Sequence, residues 1–378
     1  MMGSFFLVGF FQSLFLSLLI FSKKGKKAYD YILVVFILLL GSWMVFLHYH
    51  DTEFYALNPW LVVIDFFFWP LFGPMLFLYI DVITSKTQKF EKKHAFHFLP
   101  LVIVLIGFYD YIKISGTTAY FDYSNNTLFY KISSYVWHLI THVYFVACII
   151  KLHLFRRSVK NYFSYTENVD LKWLMVLTYG YGAFILASVV MALTNVFGVV
   201  MSQPFMTELF CLIIVLYLFG IGYYGFKQRG IFDAKEVSSI RSESKSVLKP
   251  KKLYAKSRLA DDEMNELAEA LIKEMEVNEA YLDYSLDIRM LAEKLDTTTY
   301  KISQTLNILL KKNFFDFVNE YRVEFAKKCL SSPEYDHEKI MSIAYDSGFK
   351  SKTSFYSVFK KYTDLTPVAY REKYREII

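Results

Sequence analysis

Seven long apolar stretches fill the first 226 residues of this 378-residue chain, and nothing else constrains its fold as much. They run over about 3–21, 29–48, 59–80, 96–112, 132–152, 173–197 and 205–226. A helix needs about 20 mostly apolar residues to cross a hydrocarbon layer of ~30 Å. Each stretch qualifies, the fourth being the shortest. The first has neither a basic leader nor a small-residue cleavage site, so it reads as a retained helix rather than a signal peptide. Hydrophobic residues make up 54% of the chain, and their crowding into one part separates it from ordinary soluble compositions. Charged sequence takes over at residue 227 and carries 25 of the 36 acidic residues.

Short-loop cations set the expected orientation. Lys23, Lys24, Lys26 and Lys27 follow the first stretch. Lys86, Lys89, Lys92 and Lys93 follow the third, and Lys151, Arg156, Arg157 and Lys160 follow the fifth. The alternate loops hold Lys113 alone. This bias predicts an outside N-terminus, a cytoplasmic C-terminus and an odd number of spans. The three cysteines, Cys148, Cys211 and Cys329, form no disulfide framework, as fits a reducing compartment for the soluble part.

Polar residues within or beside the spans are costly and tend to face a cavity or a partner. Asp65, Asp110, His138, Asn195 and Glu208 fall in the outer half under this topology. They are the candidate lining of an outward-facing ligand pocket. The bland alternative is interhelical hydrogen bonding. His138 and His142 share a helix face, but two histidines do not make a metal site. No metal and no other cofactor is expected.

Residues 227–260 are basic and serine-rich without periodicity, which reads as a juxtamembrane linker on anionic headgroups. Domains are therefore expected at 1–226 and 261–378. After residue 260 the pattern is helical. Met264, Leu267, Leu271 and Met275 recur at helical spacing. D-I-R-M-L-A-E-K-L at 287–295 predicts a short helix, Asp296–Thr297–Thr298 a turn, and residues 299–310 a second helix. The same grammar returns at 337–346, 347–349 and 351–362. The two candidate helix-turn-helix units thus span about 286–311 and 337–362, joined by an amphipathic helix near 315–330. The fold class expected is all-α.

Five runs carry a family resemblance: L-A-E-K-L at 291–295, N-F-F-D-F-V-N-E-Y-R-V at 313–323, I-A-Y-D-S-G-F at 343–349, S-F-Y-S-V-F-K-K-Y-T at 354–363 and T-P-V-A-Y-R at 366–371. The stretch resembles the AraC-type (arabinose-regulator) DNA-binding domains, and the whole chain resembles a membrane-bound subgroup of them. Lys311 and Asp364 stand where that family usually has glycine at positive φ.

The resemblance implies that each unit lays its second helix in the major groove of double-stranded DNA. The first would present Thr298, Thr299, Lys301, Gln304 and Asn307, and the second Ser351, Lys352, Thr353, Tyr356 and Lys360. Gln and Asn can read adenine edges, and Lys reads guanine or binds phosphate. From Thr297 onward there are 14 basic and 10 acidic residues, so binding by one copy should be modest and salt-sensitive.

The function so implied is a non-enzymatic, one-component transcriptional regulator in the bacterial inner membrane, more often an activator in this family. RNA polymerase, the lipid bilayer, a second copy of the chain and a small or membrane-soluble ligand are its expected partners. The alternatives are a transporter or membrane enzyme with a regulatory tail, or a regulator whose membrane part only anchors it. No P-loop, zinc-protease, nucleophile-elbow or dinucleotide motif supports an enzyme.

Overall fold

A computed structural model describes residues 4–49, 58, 60–85, 87–107, 128–164, 172–196, 203–227 and 261–375. All regular structure among them is helical, apart from one isolated β-bridge. The chain divides into two compact units. One comprises Met1–His153 and Leu171–Phe232, the other Leu154–Asp170 and Asp233–Ile378.

The first unit is built from α1 (Ser4–Phe21), α2 (Ala28–Tyr49), α3 (Trp60–Thr84), α4 (Leu99–Gly107), most of α5 (Leu128–Tyr162), α6 (Lys172–Val196) and α7 (Gln203–Lys227). Among the described residues, four helical segments are long and apolar enough to cross a membrane: Ala28–Tyr49, Phe67–Thr84, His138–Asn161 and Trp173–Val190. Shorter apolar segments lie at Phe6–Phe21 and Glu208–Tyr224.

The helices α1 and α2 pack together, α2 on α3, α6 on α7, and α1 on α7. Gly41 permits the α1–α2 approach, because a Cβ there would lie 1.9 Å from Ser13 Oγ. Trp43 anchors an aromatic core, with its ring 5.1 Å from Trp69 and 5.5 Å from both Phe72 and Phe184. The outward faces are also apolar: Phe11, Phe15, Leu139, Leu186, Leu216 and Phe219 are exposed.

A polar cluster is buried in this unit around Asp81. Asp81 accepts from His94 Nε2 at 3.0 Å and pairs with Lys151. Nδ1 of His94 takes the Glu91 backbone N–H at 2.9 Å, which leaves Nε2 as the donor to Asp81.

Three spans differ from expectation, the third because its helix runs on to Thr84. The fourth opens as a 3₁₀ turn at Lys92–Phe98 before α4 begins, with His94 as its buried polar anchor. The fifth, expected over 132–152, continues as helix to Tyr162. Hydrophobicity ends near residue 152, but helix propensity does not, and no Gly or Pro interrupts 153–162.

In the second unit α8 (Asp261–Glu276) precedes a 3₁₀ turn at Ala280–Leu282, α9 (Ile288–Lys294) and α10 (Thr299–Ile308). The long α11 (Phe314–Ser331) follows, then a 3₁₀ turn at Pro333–Tyr335, α12 (Ile340–Asp346), α13 (Lys352–Thr363) and α14 (Pro367–Arg375). The ends are set by side chains that accept the orphan N–H groups of a first turn. Asp287 takes those of Arg289 and Met290, Thr298 that of Lys301, Asn313 that of Asp316, and Ser351 that of Ser354.

The helix expected from residue 337 begins instead at Ile340. The chain makes one more turn bond first, from Glu338 N–H to the Tyr335 carbonyl at 3.0 Å. Packing is organised by α11, which meets α10, α12, α13 and α14. Val323 and Ala326 of α11 bury against Ile343 of α12 and Phe355 and Phe359 of α13.

Lys311 and Asp364 both take left-handed backbone, at φ 53° and 57°. A side chain with Cβ costs about 1–2 kcal/mol in that region. Lys311→Gly is accordingly expected to stabilise the soluble unit by about 0.5–1 kcal/mol after the entropy of glycine is offset. Slower amide exchange across α10 and α11 in the full-length variant would register it, and faster exchange would refute it.

Candidate nucleic-acid interface

Each helix pair presents a second helix whose inner face is apolar. On α13, Phe355, Val358 and Phe359 point inward. Lys352, Tyr356 and Lys360 recur every fourth residue and so share one outer face. Lys352, Thr353 and Lys360 are exposed and Tyr356 is half-buried. Lys352 Nζ lies 5.4 Å from the Tyr356 ring centre, so the ring and the cation form one amphipathic surface. Ser351 is the N-cap of α13. Its hydroxyl accepts the Ser354 N–H at 3.3 Å and is directed along the helix.

The first pair is arranged differently. On α10, Ile302 and Leu306 are buried in the core. Asn307 is exposed, and Thr299 and Lys301 are half-buried. Thr298 is exposed, and its hydroxyl caps α10. Lys301 Nζ is held at 2.5 Å by Glu263 of α8. Asn307 turns its amide back to the Ser303 carbonyl at 2.6 Å.

Gln304 lies roughly 200° around the helix from Ile302, on the face away from the core. It is nevertheless 1% exposed, and its Oε1 has no hydrogen-bond partner among the described residues. The next residue, Thr305, is fully buried with an unpartnered hydroxyl. The structure therefore sets the α13 candidates on the surface. On α10 it leaves Thr298 and Asn307 open, while Lys301 is tied up and Gln304 covered.

Arg322 of α11 was contained in the sequence motif but not singled out by sequence reasoning. It is 1% exposed. Its Nε donates to the Tyr281 carbonyl at 2.7 Å and its Nη2 to the Asp283 carbonyl at 2.7 Å. The guanidinium lies 5.8 Å from the Phe349 ring centre, in the turn before α13. One side chain thus ties the approach to α9 to the turn of the second pair. Burial away from water lowers its pKa to about 10, which leaves it charged at neutral pH. An arginine in a run of helix-forming residues looks like an exposed cation; its neighbours in space come from elsewhere in the chain.

The outer candidates of the first unit are less completely described. Asp110 lies outside the described residues. Asp65 and Asn195 fall on α3 and α6, with side chains outside them. His138, on α5, has its ring 5.4 Å from that of Trp69. Glu208, on α7, is half-buried with one carboxylate oxygen lacking a partner among the described residues. No group of three metal-ligating side chains occurs among the described residues.

Residues 291–373 match the helix-turn-helix domain family. The C-terminal part of this chain is a helix-turn-helix domain of the AraC type. Uncharacterised HTH-type transcriptional regulators of Staphylococcus aureus strains COL and MSSA476 are each 31% identical to it over 115 residues, or 30% of this chain. The chain spans only 14% of the length of these relatives. No solved structure matches. The helices α1–α7 lie outside the family match.

Proposed function

We propose that this protein is a membrane-bound, sequence-specific DNA-binding transcriptional regulator. The observation that carries the reading is the exposed face of α13, with Lys352, Thr353 and Lys360, inside a segment that matches a helix-turn-helix domain. The two helix pairs are read as two helix-turn-helix units, with α10 and α13 entering successive major grooves. Lys352 and Lys360 bind phosphate or guanine, and Thr353 and Asn307 meet base edges. Thr298 and Ser351, whose hydroxyls cap their helices, are proposed to position those helices at the backbone.

The seven apolar segments are proposed to cross the bacterial inner membrane with the N-terminus outside. The exposed apolar faces of α1, α5, α6 and α7 support this, since such faces suit lipid and not water. RNA polymerase as a partner, a second copy of the chain, and a small or membrane-soluble ligand near Asp65, Asp110, His138, Asn195 and Glu208 belong to the same proposal. Activation is the expected sign.

Genome-wide crosslinking of the full-length protein tests it against the Lys352→Ala, Lys360→Ala double variant. Discrete peaks that vanish in the variant are expected. Equal recovery of the same sites by the variant would sink the assignment of α13 as a reading helix.

Gln304 supplies a second test. A buried, unpartnered polar group costs about 1–3 kcal/mol. Gln304→Leu should therefore stabilise the DNA-free protein by about 1 kcal/mol and leave promoter binding unchanged, because a covered amide meets no base edge. Amide exchange and DNA titration on the same preparation would read both. Weakened promoter binding without loss of stability would return Gln304 to the reading face.

A further inference from the structure

The second unit is not continuous in sequence. Residues Leu154–Asp170 group with Asp233–Ile378, more than sixty positions downstream. Their attachment is specific. Phe163 is 1% exposed and bridges in antiparallel fashion to Asp287, the N-cap of α9. The Ser164 hydroxyl donates to the Leu286 carbonyl at 2.5 Å and accepts from Arg322 Nη2 at 3.2 Å. The Ser164 carbonyl accepts from Asn319 Nδ2 at 2.8 Å and from Arg322 Nη1 at 3.4 Å. Lys160 Nζ stands 5.6 Å from the ring centre of Phe315.

These contacts converge on the residue that already links the two helix pairs. Arg322 holds Tyr281 and Asp283, the Phe349 turn, and Ser164 at once. The segment also meets α9 at its cap, the point that fixes where that helix begins. Phe163 follows directly on Tyr162, the last residue of α5.

Release need not unfold the unit. Without Ser164, Arg322 would still have the Tyr281 and Asp283 carbonyls, and Asn319 Nδ2 would keep its second acceptor, the Phe315 carbonyl at 2.8 Å.

We propose that residues 160–164 are a built-in docking segment for the DNA-binding unit, which positions the two helix pairs and thereby sets promoter affinity. The effect on DNA rests on the functional reading above; the docking itself does not.

The test uses full-length protein in lipid nanodiscs, with amide exchange followed by mass spectrometry. DNA titration uses a fragment recovered by the crosslinking experiment. Phe163→Ala, Phe163→Leu and Ser164→Ala are compared with the unsubstituted protein. Phe163→Ala should speed exchange of residues 281–295 by about ten-fold or more while leaving 352–375 unchanged. It should weaken DNA binding by about ten-fold. Phe163→Leu, which refills the site, should restore most of both. Should Phe163→Ala not accumulate, Ser164→Ala decides, with the same local pattern at about three-fold.

Unchanged exchange at 281–295 would overturn the docking. Exchange rising equally through 352–375 would reduce the segment to general core packing and overturn its role as an input, as would unaltered DNA affinity in a locally loosened variant. If the unsubstituted protein binds no DNA, the functional reading fails, and the exchange comparison still decides the docking.

Discussion

Replacing Gly348 with alanine is expected to destroy the fold of the DNA-binding unit. Gly348 sits in the turn between α12 and α13 at φ 80°. A Cβ there would lie 2.4 Å from the Tyr281 carbonyl oxygen, 2.9 Å from that of Leu282 and 3.0 Å from Arg322 Nε. Two of these are backbone atoms, and the third belongs to a fully buried side chain. None can swing aside. The left-handed backbone adds about 1–2 kcal/mol for any residue with a Cβ, and overpacking a dense site adds about 1–3 kcal/mol. Together these come to about 2–5 kcal/mol, which at its upper end equals the whole stability of a unit at the lower end of the usual range of about 5–15 kcal/mol.

Gly25→Ala is the control. Gly25 also has positive φ, 69°, but a Cβ there meets nothing within 4 Å. The measurement is amide exchange across 281–375 in the full-length protein, with membrane accumulation as a second readout. Gly348→Ala should abolish protection throughout that region, whereas Gly25→Ala should leave it intact. Near-normal protection in Gly348→Ala would mean that the turn does not pack against Tyr281 as described.

The second large effect is expected at Arg322. Its guanidinium serves the carbonyls of Tyr281, Asp283 and Ser164 and the Ser164 hydroxyl. Arg322→Leu fills much of the volume but takes the guanidinium donor from the Tyr281 carbonyl, while the Asp283 carbonyl keeps the Leu286 N–H and the Ser164 carbonyl keeps Asn319 Nδ2. Leaving a buried carbonyl without its donor costs about 1–3 kcal/mol. Arg322→Lys should recover little, because one ammonium cannot reach groups arrayed around a planar fork.

The two variants should thus fall close together, each losing protection in 281–295 and in the 347–349 turn at the same time. A lysine variant with wild-type protection would mean that charge alone, and not the fork, holds the site. Loss confined to one helix pair would mean that Arg322 does not join them.

Much of this was legible in the linear sequence because the signals are local. Apolar length marked the candidate spans, and the helical patterns expected from 287, 299 and 351 met the observed helix starts to within a residue. Lys311 and Asp364 were recognisable as glycine-type positions from the motif, and both have positive φ. Hydrophobic run length missed the end of α5, where helix outlasts hydrophobicity to Tyr162, and the opening of the fourth stretch, which is a 3₁₀ turn.

The sequence by itself determined which segments are apolar, where most of the soluble helices begin, and that its C-terminal part resembles a helix-turn-helix domain. These depend on periodicity, capping and short motifs, each confined to a few consecutive residues. Only the tertiary structure decided that Gln304 is covered, that Arg322 is a hub and not a surface cation, and that Phe163 and Ser164 belong to a unit whose other residues lie far downstream. Burial and hydrogen-bond partnership are properties of three-dimensional neighbours, and Ser164 and Arg322 are 158 positions apart. No local pattern in a chain can encode which distant carbonyl an arginine will find.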